Sequence, residues 1–363
     1  MIEIEHKIVH FYGRFGDGAS GVTEALTGWA ELTEDLGYNV EIWSARGERV
    51  KHRLLRHIAH VGWGRRFALP MGLLWSLRRS DLVYLHEGWT LSNVVAVAVG
   101  RLRRSKMVLM PHGVYDPHMV VLQRDILGIR RALERWVLRS VDAVHVFYAS
   151  EYVDVRLLEP RAALPIIAPN GGPEPESVET WTGAGDYFCW VGRFDPYHKG
   201  LDLLLEAWAE LPKAPPRLIL AGPDYMGGRV KVEELVERLK LSDQVEVRGP
   251  VYGAEKDTLL AECVAYVHPS RWESCSIALL ENLAMGIPSL LADSVHAAPT
   301  LKAAGVVQLC DFNSSDALNR AIMLTANNHE LSQASRQWMS DSGSWVAVAR
   351  EYRLELKSLI GDR

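Results

Sequence analysis

The chain has 363 residues, 48% hydrophobic and 23% charged, with a formal net charge of −5 at pH 7. This is globular composition with room for two domains of ordinary size, and it excludes collagen-like, low-complexity and heptad-repeat chains. Four cysteines, Cys189, Cys263, Cys275 and Cys310, show no CxxC pairing, so neither a disulfide framework nor a zinc site is indicated and a reducing cytoplasm is the simplest home.

The N-terminus, MIEIEHKIVHFYG, reads without a signal peptide. The longest early apolar run, Val94 to Val99, is far short of the ~20 residues a membrane helix needs. Residues 6–13 predict a buried strand, and Gly16-Asp17-Gly18-Ala19-Ser20-Gly21 follows at once. Val22, Ala25, Leu26, Trp29, Leu32 and Leu36 mark one face of a helix ending at Gly37, and residues 39–43 read as a second strand. Taken alone, this G-x-G-x-x-G is a dinucleotide fingerprint in the right strand-loop-helix context. The ribose-binding acid expected after the second strand is absent; Arg46 stands near that place and would suit a 2′-phosphate, so an NADP-dependent oxidoreductase is one reading.

Residues 1–170 hold 22 Lys+Arg against 18 Asp+Glu, and the remainder 18 against 27. Between Arg46 and Lys106 there are 13 basic and 3 acidic residues, interleaved with Trp63, Trp75 and Trp89. Such a stretch suits an anionic membrane surface or anionic acceptor, or is a solvated arginine-rich surface over three core tryptophans. No nucleic-acid-binding motif accompanies it, so nucleic acid is not an expected partner.

Residues 82–86 and 106–110 predict two further strands. The second delivers Pro111-His112-Gly113, a loop at a strand's carboxyl end where open α/β sheets place chemistry, whereas His86 reads as a structural histidine. Residues 122–140 predict a basic amphipathic helix with Ile126, Ile129, Leu133, Trp136 and Val137 on one side, residues 141–147 a strand, and residues 173–185 an interdomain linker. The pattern then restarts with a strand at 187–191, the loop GRFDPYHKG and a helix with Leu201, Leu204, Leu205, Trp208 and Leu211 on one face. Arg193 and Lys199 in that loop have the charge to neutralise a departing diphosphate.

A strand at 264–268 leads into PSRWESCSIALLENLAMGIP and a strand at 289–292. Glu273 falls in the loop and Glu281 on a helix patterned by Ile277, Leu280, Leu283 and Ala284, so the carboxylates bracket a helix N-terminus. Backbone N–H groups and the positive dipole end suit phosphate, while carboxylates accept hydrogen bonds from sugar hydroxyls. A polyhydroxylated diphosphate fits such a site.

With its flanking Pro269-Ser270 and Gly286-Ile287-Pro288, this stretch resembles the Glu-x7-Glu motif of the retaining glycosyltransferases of family 4. Ser274-Cys275-Ser276-Ile277 departs from the family's Gly-Phe-Gly-Leu-like segment, so Ser276 must be tolerated where Gly gives close backbone approach. GRFDPYHKG, the His112-Gly113 loop, Ala149-Ser150-Glu151 and residues 344–354 are similar to further family segments, and the resemblance covers nearly the whole chain. It implies a GT-B fold: two Rossmann-like β/α/β domains facing across a deep interdomain cleft, 1–174 binding acceptor and 175–342 binding nucleotide sugar, with the helix at about 343–363 rejoining the first.

The implied activity is retaining transfer of a hexose, with glucose and UDP preferred, to a saccharide or lipid-linked saccharide acceptor in bacterial surface polysaccharide or glycolipid assembly. By the same resemblance, Arg193 and Lys199 bind the donor phosphates, Glu281 the ribose, and Glu273 with the backbone of Cys275, Ser276 and Ile277 the sugar. Val251 lies in the base-contacting segment, His112 reaches the sugar, and Gly18 and Gly21 allow close approach. No Asp-x-Asp motif appears, so no metal or other cofactor is expected. The expected location is cytoplasmic, with peripheral membrane contact through the Arg46 to Lys106 region. A non-catalytic, glycosyltransferase-like binding partner is the third reading.

Overall fold

The computed structural model describes residues 7–15, 20–45, 51–62, 69–121, 123, 127–212 and 216–361. Its contacts divide the chain into one unit of 1–170 with 348–363 and another of 171–347.

The first unit runs β1 (Lys7–Phe11), α1 (Gly21–Asp35), β2 (Asn39–Ser44), β3 (Leu55–His57), α2 (Leu73–Ser76), β4 (Leu82–His86), α3 (Leu91–Arg103), β5 (Lys106–Met110), α4 (Pro117–Val121), α5 (Ile129–Ser140), β6 (Ala143–Val146), α6 (Ala149–Leu158) and β7 (Pro165–Ile167). Its strands form a parallel seven-stranded sheet in the order β3-β2-β1-β4-β5-β6-β7. The central strands are mainly apolar and buried along almost all of their length, as helix-covered parallel sheets require. Trp29 of α1 donates from Nε1 to Asn170 Oδ1 at 2.9 Å.

The second unit repeats the plan with β8 (Tyr187–Val191), α7 (Leu201–Ala209), β9 (Arg217–Ala221), α8 (Gly228–Arg238), β10 (Val245–Arg248), α9 (Gly253–Glu262), β11 (Ala265–His268), α10 (Ile277–Met285), β12 (Ser289–Ala292), α11 (Ala298–Ala303), β13 (Gln308–Cys310), α12 (Ser315–Thr325) and α13 (His329–Trp338). A π-helical turn, Met339–Gly343, leads to α14 (Trp345–Ile360), whose residues from Val348 group with the first unit. The six parallel strands run β10-β9-β8-β11-β12-β13. Both sheets reverse strand order beside their first strand, at β1/β4 and β8/β11, and ligands of open α/β sheets bind outside the carboxyl ends of strands at such switch points.

Three expectations need correction. Helix α5 begins at Ile129, not 122; Leu127 and Gly128 precede it, with Gly128 at φ 69°, while Ile126 lies outside the described residues. Its buried face is Glu134, Val137 and Leu138, and Ile129 is exposed, because the Tyr115 hydroxyl satisfies the Glu134 carboxylate and lets a charged residue turn inward. Nor are residues 173–185 a free tether. Trp181 is buried and donates from Nε1 to Cys263 O at 2.6 Å, and the amides of Trp181, Thr182 and Gly185 bond to Met285, Ala261 and Glu262. Among the interleaved tryptophans, Trp75 is exposed, Trp89 packs on the core, and Trp63 lies outside the described residues.

Gly200, at φ 64°, ends the loop after β8 where a Cβ would lie 1.9 Å from Pro269 O after β11. Gly227, at φ 76°, has nothing within 4 Å. Gly200→Ala is therefore expected to cost about 3 kcal/mol or more, against about 1 kcal/mol for Gly227→Ala, read as the difference in urea-unfolding free energy.

Candidate active site

In the second unit the loops after β8 and β11 flank the switch point. Gly200 lets them touch at backbone distance, and Arg271 N–H donates to His198 O at 3.0 Å. The Arg271 guanidinium forks onto Asp202 in the first turn of α7 at 2.6 and 2.8 Å and lies 4.3 Å from the Tyr197 ring centroid, a bidentate strut from the loop after β11 to the end of the loop after β8. Across that junction Lys199 Nζ meets Glu273 Oε2 at 2.5 Å. Burial alone would push the Glu273 carboxyl up, but Lys199, with His198 and His268 adding to it, holds the group at about 2.

His198 stacks on the buried Trp272 with centroids 4.4 Å apart and planes 7° apart. Burial, reinforced by Lys199, pushes it down to about 4, so it is neutral at pH 7. Its Nε2 lies 3.1 Å from Trp272 O, a carbonyl that needs a donor, which leaves Nδ1 to accept from Arg193 Nη2 at 3.4 Å. Arg193 is 47% exposed on its side chain, sits 4.7 Å from the Tyr225 ring centroid and reaches Asp195 at 4.0 Å, so its charge faces water.

Ser276 is the N-cap of α10. At φ −75° it needs no glycine, and its hydroxyl accepts from Leu279 N–H at 3.3 Å. The departure from the family's glycine is thus accommodated by capping, and by helical geometry the amides of Ile277 and Ala278 have no partner within the first turn. Cys275 is half-buried beside this end. One turn on, Glu281 pairs with Lys256 of α9 at 2.7 Å, and Val251 is buried in the core below α9. The second unit therefore gathers Arg193, Lys199, Glu273, Cys275, Ser276, Ile277 and Glu281 on the loops and helix about one switch point.

In the first unit, His112 follows β5 at φ 54°, and Glu87 and Trp89 follow β4 at φ 66° and 60°. Left-handed side-chain-bearing residues cost about 1 kcal/mol or more each and concentrate at functional sites. The carboxylate of buried Glu151 accepts from Gly113 N–H and Phe147 N–H, both at 2.8 Å, and fastens the His112 turn to the end of β6. His112 Nε2 lies 2.8 Å from His86 Nδ1, so His86 is a partner of the predicted site residue rather than an isolated core histidine. Arg14 after β1 donates from Nη2 to both Glu87 oxygens, at 2.6 and 2.5 Å. Gly21 opens α1, where a Cβ would meet nothing within 4 Å, whereas Gly16, Gly18 and Arg46 lie outside the described residues. Sequence reasoning missed His10, His86, Arg271 and Lys256; only Glu151 had a motif signal.

Residues 164–338 match the family model described as glycosyl transferases group 1. One polypeptide of the phosphatidylinositol N-acetylglucosaminyltransferase of Arabidopsis thaliana is 26% identical over 298 residues, 76% of this chain and 61% of that protein. Glycogen synthase of Rhizobium rhizogenes is 27% identical over 181 residues, 46% and 37%. The chain thus spans less than two thirds of either relative's length. Sucrose-phosphate synthase from Thermosynechococcus elongatus superposes with a TM-score of 0.78 at 18% identity, covering 98% of this chain and 99% of that one. Anabaena HepE, solved in complex with UDP, gives 0.77 at 16%, covering 98% and 100%. Those structures share two parallel-sheet Rossmann-like domains with this one, the GT-B fold. Residues 164–338 are thus similar to the glycosyl transferases of group 1, and the two-domain fold is that of the GT-B glycosyltransferases.

Proposed function

We propose that the protein is a retaining glycosyltransferase that moves a hexose, glucose foremost, from a UDP-sugar to a saccharide or lipid-linked saccharide acceptor in bacterial surface polysaccharide or glycolipid assembly. The observation that carries this reading is the Lys199–Glu273 pair at the β8/β11 switch point, beside the N-terminus of α10. A cation, a carboxylate held ionised and a set of helix-end amides there meet the demands of a diphosphate joined to a sugar.

In this mechanism Arg193 and Lys199 draw off the charge that develops on the departing diphosphate, and the Ile277 and Ala278 amides hold its oxygens. Glu273, with the Cys275-to-Ile277 backbone, accepts from sugar hydroxyls, Glu281 accepts from the ribose, the Val251 segment borders the base, and His112 binds the sugar. The leaving phosphate takes the acceptor's proton on the face it departs from. The non-catalytic reading rested on the Ser274-Cys275-Ser276 departure; Ser276 as a helix cap makes that departure compatible with the catalytic reading. The basic stretch from Arg46 to Lys106, with exposed Trp75 and Leu102, supports peripheral contact with an anionic membrane on the cytoplasmic side; among the described residues no helix is long and apolar enough to cross one.

UDP at 100 times its Kd is expected to stabilise the protein by about 2.7 kcal/mol in a thermal-shift assay. Arg193→Ala and Glu281→Ala should abolish that shift at the same concentration. A response to NADPH instead of UDP would establish the oxidoreductase, and a GDP response would replace the nucleotide.

Transfer from UDP-glucose is expected to continue in EDTA, because Arg193 and Lys199 supply the positive charge a metal would otherwise bring. Loss of turnover in EDTA, restored by a divalent cation, would overturn metal independence.

Acid stability should report the Glu273 pair. A carboxyl held at about 2 in the folded protein against 4.5 ordinarily contributes stability above pH 4.5 that is lost as pH falls toward 2. In Lys199→Met, burial without the counter-charge raises the carboxyl, so the drop in urea midpoint across that window should shrink; an unchanged drop would show that the pair does not set it.

A further inference from the structure

Three histidines on neighbouring strands form one hydrogen-bonded line. His10 on β1 and His86 at the end of β4 are each 1% exposed, and His112 follows β5 half-buried. His10 Nδ1 lies 3.0 Å from His86 Nε2, and His86 Nδ1 lies 2.8 Å from His112 Nε2. Each imidazole therefore uses one nitrogen toward each neighbour, and the two nitrogens left over are His10 Nε2, which is buried, and His112 Nδ1, on the half-buried ring.

The surroundings keep the rings uncharged. Burial pushes His10 and His112 down to about 3 and His86 well below its ordinary value, and His145 on β6 opposes a further proton. The other faces are aromatic: Tyr84 stacks on His10 at 5.0 Å, and Phe147 meets His112 edge-on at 5.5 Å. With one N–H per ring, the line has two registers. If every N–H points inward, His10 Nε2–H is a buried donor with no partner among the described residues. If every N–H points outward, the same atom is a bare lone pair and His112 Nδ1 carries a hydrogen. Orphaned buried donors are the rarer of the two defects, so the outward register is favoured.

We propose that His10 and His86 are positioning residues that fix His112 as its Nδ1–H tautomer, so that Nδ1 donates to an oxygen of the transferred sugar. The sugar contact rests on the functional reading; the tautomer does not. A lone histidine samples both tautomers and titrates near 6.5. The line removes both freedoms and presents an uncharged donor of one sense, which distinguishes an accepting sugar oxygen from an anionic phosphate that a cationic histidine would attract.

The test is ring 15N NMR on the full chain labelled at histidine, from pH 8 to 5. His112 is expected to show Nδ1 protonated and Nε2 bare throughout; protonation at Nε2, or titration near 6.5, would overturn the proposal. His10→Phe keeps a ring against Tyr84 but removes the nitrogens; a hydrogen on His86 Nε2 would then be the orphaned buried donor, so His112 should keep its Nδ1–H. His10→Asp, read at pH 8, accepts but does not donate; it should take a hydrogen from His86 Nε2, reverse the line and move the hydrogen of His112 to Nε2 although residue 10 does not touch residue 112. An unchanged His112 in His10→Asp would equally defeat the idea, and the same change in His10→Phe would make the effect of residue 10 merely structural. UDP shifts, which depend on Arg193 and Glu281, separate the two readings: their absence beside the expected tautomers would remove the donor assignment and leave the line intact.

Discussion

Bringing a carboxylate and an ammonium together at a largely water-excluded junction is favourable only when each supplies what the other loses in hydration. Lys199 and Glu273 meet that condition at 2.5 Å, and they come from loops that follow two adjacent parallel strands. Much of the local architecture serves this approach. Gly200 removes the Cβ that would strike Pro269 O, the Arg271–Asp202 fork ties one loop to the other, and His198 is clamped flat on Trp272.

The repeated Rossmann-like plan was legible because parallel strands buried on both faces appear as short apolar runs between Gly- and Pro-rich turns. Strands β5, β8 and β12 lie where the sequence put them. Helix α5 was misread because periodicity weighs hydrophobicity alone, whereas a tyrosine hydroxyl nineteen residues upstream makes Glu134 an acceptable inward residue. Residues 173–185 looked like a tether because they lack periodicity, yet their amides are satisfied by carbonyls from α9 and the end of α10. Ser276 was readable in principle: a serine just before an apolar helical run is a capping signal as much as a missing glycine.

The histidine line marks where sequence reading stops. His10, His86 and His112 are separated by 76 and 26 residues, and only the strand order β1-β4-β5 makes them neighbours. A crossover connection hides such contacts from any local window. Motif logic found His112 because its loop has a recognisable form; it gave no hint that two buried rings would decide how that histidine presents its hydrogen.

The charges assigned to the donor in the proposed function are partnered by the protein's own side chains. Lys199 is paired with Glu273, Glu281 with Lys256, and Arg193 lies 4.0 Å from Asp195. A ligand therefore gains only the difference between its own interactions and those it displaces, and exposed pairs of this kind are worth about 0–1 kcal/mol each. The Lys199–Glu273 pair is the exception, being the more enclosed. A ligand bearing phosphate alone would draw Lys199 toward itself and leave Glu273 ionised with nothing to offset its burial. In the proposed function a sugar diphosphate would not have that defect: its phosphates would share Lys199 while its hydroxyls supply the donors that the carboxylate needs. On that proposal the pair would favour the intact donor over its separated parts, a form of specificity that neither charge has on its own.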